Sequence, residues 1–83
     1  MNEFIFENFI VKFPVDLKHF IFKDKDYYGI IFYYKDKKYE LIHNYIGLTR
    51  ILINGPNFWN QDLPFNKNTI LFLPETIKFE ELQ

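Results

Sequence analysis

The chain has 83 residues, 48% of them apolar and 22% aromatic, with a formal charge of −1 and no Cys. That length is one domain, residues 1–83, and the missing Cys removes disulfides, thiolate metal sites and thiol nucleophiles. The mixed charges give neither the basic stripe of a nucleic-acid binder nor dense acidity, and no apolar run approaches the roughly 20 residues of a membrane span.

Ser and Ala are also missing. The first absence excludes serine-hydrolase schemes, and the second removes the best helix former. Phe, Ile, Lys, Asn and Tyr are frequent, a composition that A/T-rich codons produce. Eleven Phe and six Tyr can build a core without disulfide or metal, because each buries about 150–250 Å² of surface.

FIFENFIVKF (4–13) reads as one extended strand with an irregularity near Glu7-Asn8, ended by Pro14. The N-terminus lacks a basic region and acids interrupt its apolar stretch, so it is not read as a signal peptide, and the expected location is the cytoplasm. LKHFIFK (17–23) places Phe20 and Phe22 on one side and His19, Ile21 and Lys23 on the other. DKD (24–26) is a turn, YYGIIFYYK (27–35) a strand apolar on both faces, and DK (36–37) a second turn. KYELIH (38–43) alternates Tyr39, Leu41 and His43 against Glu40 and Ile42. Period two between polar turns is the strand signal.

Residues 43–56 admit two readings. As a helix they align Ile42, Tyr45, Ile46, Thr49, Leu52 and Ile53 on one stripe, stopped by Asn54-Gly55-Pro56. As a strand they read LTRILIN (48–54) after a turn at 44–47, which the β-branched residues and Gly47 favour. The stretch 55–68, with two Pro, four Asn and one Gly, is expected to be irregular yet holds Phe58, Trp59 and Phe65. Long loops of this kind are often packed on their own side chains or functional. TILFLP (69–74) reads as a buried strand and ETIKFEEL (75–82) as a charge-protected edge strand. Phe32, Phe72 and Ile70, mid-strand in the most apolar runs, are expected in the core. The expected fold is mostly β: a small antiparallel meander, either a curled sheet or a small barrel, with α+β as the variant if 44–54 is helical.

Chemistry has few carriers. His19, His43 and Arg50 could supply the base, acid and phosphate clamp of a small RNase toxin, but isolated strand histidines are the plainer reading. Two His without Cys make no metal site, and no cofactor is expected. Asp24, Asp26 and Asp36 sit in turns beside Lys. What exceeds background is the aromatic excess. Adjacent strand residues face opposite sides, so one Tyr of each pair, Tyr27/Tyr28 and Tyr33/Tyr34, points away from the core.

The favoured function is a non-enzymatic protein-binding module of inhibitor or immunity type, blocking a partner toxin or enzyme by surface contact. Its A/T-rich bias suits a mobile bacterial locus. The expected contact residues are Tyr27, Tyr28, Tyr33, Tyr34, Phe58 and Trp59, with Asp62, Glu75, Glu80 and Glu81 facing a basic partner. The 55–68 loop or a second copy of the chain, giving a homodimer, could instead cover the aromatic face. An alternative is an OB or Sm-like single-strand nucleic-acid module stacking bases on exposed aromatics. Seven Lys between 12 and 38 would line its groove, but seven acids in 1–42 cancel them.

Overall fold

The computed structural model describes residues 1–56 and 60–82. Among these residues are eight strands: β1 (Asn2–Phe6), β2 (Phe9–Phe13), β3 (His19–Lys23), β4 (Tyr27–Tyr34), β5 (Lys37–Asn44), β6 (Leu48–Asn54), β7 (Asn60–Pro64) and β8 (Lys78–Glu81). They form two antiparallel sheets. One has the order β1-β2-β8, the other the order β3-β4-β5-β6-β7. The mostly β antiparallel meander expected from the sequence is the observed fold, and its sheets stay open, without closing into a barrel.

Period-two patterning dictates which side of each strand is buried. In β2, Phe9, Val11 and Phe13 are buried and alternate with Ile10 and Lys12. In β4 and β5 the buried rows are Ile30 with Leu41 and Phe32 with Tyr39, paired across the strands. Ile51 and Ile53 of β6 continue these rows. The inner faces of the two sheets meet in one core, joined by Leu73 and Ile77 from the crossover between them. Ring contacts knit the seam: Phe13 meets Phe32 at 5.0 Å and Phe6 meets Phe65 at 5.1 Å, both edge-on, a favoured aromatic geometry.

The Lys-Asp-Lys repeats are turns. Asp24 N–H donates to Tyr27 O at 2.8 Å, and Lys25 N–H donates to the Asp24 carboxylate. The second turn falls at Lys35-Asp36 rather than 36–37, with both residues at positive φ (45° and 47°). That is the backbone of a two-residue type I′ turn, built here without the usual Asn-Gly. The 44–54 segment is not helical. Asn44 accepts the Gly47 N–H on its carbonyl and the Ile46 N–H on its side chain, and β6 follows from Leu48.

Three further expectations are corrected. Residues 4–13 are not one strand: the chain reverses at Glu7-Asn8, and Phe6 pairs with Phe9. Glu7 takes the left-handed conformation (φ 56°), uncommon for a non-Gly residue. Tertiary contacts hold it there, as described below. The 55–68 stretch contains β7, paired with β6 from Asn54↔Asn60 to Arg50↔Pro64. Its Pro64 is accommodated because β7 is an edge strand and Pro64 is its last residue. Residues 69–74 form a 3-10 turn at Thr69–Phe72 in place of a buried strand. Asn66 and Thr69 cap each other with backbone and side-chain bonds, which winds the chain before it can extend. Leu71 is 84% exposed and Phe72 50%, so Phe72 is not a core residue and Ile70 is half-buried.

β8 is an edge strand, as expected. It pairs with β2, and Glu80 and Glu81 bond Lys12 and Lys67.

Candidate functional site

Register assigns every side chain of the five-stranded sheet to a face. Phe32, Ile30 and Tyr28 point inward, so Tyr27, Gly29, Ile31 and Tyr33 point outward. Their partners follow: Phe20 opposite Ile31, Phe22 opposite Gly29, Ile42 opposite Gly29, and Asn44 opposite Tyr27. Leu48, Arg50 and Leu52 of β6 and Asp62 of β7 extend the same face.

The result is a largely apolar outer surface. Phe20, Phe22, Tyr27, Ile31, Glu40, Ile42 and Asn44 line a shallow groove of about 400 Å³. A second groove of about 260 Å³ continues from it between Ile42, Leu48, Arg50, Leu52 and Asp62. Gly29 makes the first groove possible. A Cβ there would overlap the Leu41 carbonyl and lie 2.6 Å from the Phe22 ring, which therefore lies across the glycine. An aromatic ring covering a cross-strand glycine is a known stabilising device.

Charge on this face is paired. Arg50 Nη1 sits 2.8 Å from Asp62 Oδ2, and Lys38 Nζ 3.7 Å from Glu40 Oε1. Lys18 Nζ lies 4.8 Å above the Tyr33 ring. Its cations are thus committed to carboxylates or an aromatic ring, unlike the open cationic groove that tracks a nucleic-acid backbone.

The structure brings together only part of the expected contact set. Tyr27 (41% exposed) and Tyr33 (37%) lie on the outer face. Tyr28 and Tyr34 pack against the core from the inner face. Asp62 is in the outer face, bound to Arg50. Glu80 and Glu81 belong to β8 of the other sheet, and Glu75 is exposed in the turn before it. Phe58 and Trp59 lie outside the described residues. Of the described part of the 55–68 stretch, Phe65 packs between the sheets against Phe6, Phe9 and Phe79, away from the outer face. The sequence reading missed Phe20, Phe22, Ile42, Leu48 and Leu52. Gly29 was the available signal, since a glycine inside a strand marks a close approach.

A second cluster holds the Glu7 turn. Glu7 N–H donates to Tyr28 Oη at 2.9 Å. Its carboxylate takes the Thr49 hydroxyl and lies 2.5 Å from His43 Nδ1, which is itself 2.8 Å from Thr49 Oγ1. Tyr28, His43 and Tyr45 pack around it, with the His43 ring tilted against Tyr28 and edge-on to Tyr45. This cluster clasps one sheet to the other and supplies the contacts that keep Glu7 left-handed.

His19, His43 and Arg50 do not converge. His19 pairs with Phe32 and His43 with Tyr28, four residues apart on β4, about 13 Å at the strand rise. Arg50 is on the opposite face of the sheet from both. His19 Nδ1 is held by Leu17 O at 2.9 Å and its ring lies on Phe13. Among the described residues no three His, Asp or Glu side chains group at metal-binding distance, and no helix is long and apolar enough to cross a membrane.

No family model matches the chain, and no significant similarity links it to a curated protein or a solved structure.

Proposed function

We propose that the protein is a small protein-binding module of inhibitor or immunity type, which blocks a partner protein by laying the outer face of its five-stranded sheet against it. One observation carries this reading. The core is complete on the inner faces, where Phe6, Val11, Phe13, Ile30, Phe32, Leu41, Ile51 and Ile53 are fully buried, yet Phe20, Phe22, Tyr27, Ile31, Ile42 and Leu52 form a second apolar layer that folding does not bury completely. Contiguous apolar surface rimmed by polar groups marks an interaction site.

The composition of the face supports the same reading. Aromatics at its centre and ion pairs across it resemble the core-and-rim arrangement of protein interfaces. Because the cations are paired, a protein surface suits it better than a phosphate backbone. Of the four acids expected at the contact, Asp62 alone belongs to this face, and Glu75, Glu80 and Glu81 serve only a partner that reaches the other sheet.

The test uses a partner retrieved on the immobilised chain. Tyr27→Ala and Tyr33→Ala should each weaken binding, and a central anchor should cost about 2 kcal/mol or more. Glu80→Gln with Glu81→Gln should leave it unchanged. Binding indifferent to both tyrosines and lost with the two acids would move the interface to the other sheet.

A further inference from the structure

β3 is one edge of the five-stranded sheet. Two bonds fix its parity: Tyr33 N–H donates to Lys18 O, and Asp24 N–H donates to Tyr27 O. Lys18, Phe20, Phe22 and Asp24 therefore aim their backbone groups at β4, and His19, Ile21 and Lys23 aim theirs at the open side. Natural edges are usually blunted by charge, proline or a bulge. The middle of β3 has none of these: Phe20 is 58% exposed and Ile21 49%.

We infer that a second copy of the chain pairs here, β3 against β3, antiparallel about a two-fold axis through Ile21. The open backbone groups are symmetric about that residue, so His19 faces Lys23 of the second copy and Ile21 faces itself, each exchanging N–H and C=O. On the outer face Phe20 meets Phe22 of the second copy twice, which gathers four phenylalanines. Beyond them Lys18 stands opposite Asp24 of the second copy, again twice, so charge is complementary at both ends.

Neighbouring registers of the same parity lose this match. A shift by two in one direction sets Asp16 against Asp24 and Lys18 against Phe22. A shift in the other direction sets Phe20 against Asp24. A self-complementary patch of this kind is what a two-fold dimer requires. The pairing runs edge to edge, so it leaves the outer faces open and joins the two into one surface. It stands whether or not that surface binds a foreign protein.

Sedimentation equilibrium of the full chain tests it, with circular dichroism confirming that each variant is folded. The wild type should reach twice the 10.2 kDa of one chain as concentration rises. Lys18→Asp sets two like-charged pairs across the axis and should weaken the dimer roughly tenfold, as two reversed cross-strand pairs predict. Adding Asp24→Lys should restore it. That recovery cannot come from the Lys18–Tyr33 contact, which the double variant also lacks. Phe20→Lys, at an exposed position, should abolish the dimer. A wild type that sediments as one chain at every concentration would overturn the inference. So would a dimer indifferent to both Lys18→Asp and Phe20→Lys.

Discussion

At the scale of residues, burial separates side chains that look alike in sequence. Phe32 and Phe72 both sit in apolar runs, but Phe32 is fully buried against Phe13, and Phe72 is half-exposed on the 3-10 turn. Phe32→Ala should cost about 3–5 kcal/mol, the usual range for deleting a buried aromatic. Phe72→Ala should cost under about 1 kcal/mol, near the range of surface changes. Urea unfolding of the two variants checks the contrast. Tyr39 gives a pH prediction. Burial raises its pKa above the ordinary value of about 10, and Tyr34 adds to the shift. The folded chain therefore holds this proton more tightly than the unfolded one. The associated stability is full below about pH 10 and is lost as pH rises through the folded value. Lys12 is raised as well, by its hydrogen bond to Glu80, and its contribution falls away in the same alkaline direction. Tyr39→Phe should flatten the alkaline decline in thermal midpoint without removing the part that Lys12 supplies.

At the scale of elements, the strands with clean alternation were legible. KYELIH set Tyr39, Leu41 and His43 on one row, which is the inward one, and LTRILIN marked β6 at its observed bounds. The elements that failed depend on contacts distant in sequence. Nothing local requires a reversal at Glu7; Tyr28, His43 and Thr49, 21 to 42 residues away, hold it. β7 is rich in turn formers and extends because β6 offers it an unpaired edge. The 69–74 run is apolar enough for a strand, but the Asn66–Thr69 caps outweigh the strand propensity of Thr69 and Ile70. The β4–β5 turn, like Glu7, carries backbone strain. Lys35 and Asp36 both occupy left-handed backbone in the β4–β5 turn, which costs an L-residue up to about 1–2 kcal/mol. Replacing them with Asn-Gly, the pair this turn prefers, should stabilise the protein by about 1 kcal/mol in urea unfolding. An unchanged or lowered midpoint would mean that the Lys35 and Asp36 side chains stabilise the turn in another way.

At the scale of the whole molecule, the two sheets complete one core and leave one face of the larger sheet apolar. The sequence signalled the surplus through Tyr pairs and a strand apolar on both sides. It could not say which Tyr of each pair was outward, because that depends on which row meets the second sheet. Pairing resolved it: Phe32 and Ile30 go inward, so Tyr27, Ile31 and Tyr33 go outward. On the proposed function, this outer face, rather than the exposed side of the three-stranded sheet, meets the partner protein. The most direct measurement is site-specific photocrosslinking in the native host, with a photoreactive phenylalanine analogue at Tyr33 or, as the opposite-face control, at the exposed Ile5. A covalent adduct with a foreign protein is expected from position 33 and none from position 5. An adduct from position 5 alone, or nucleic acid as the species captured at position 33, would contradict it.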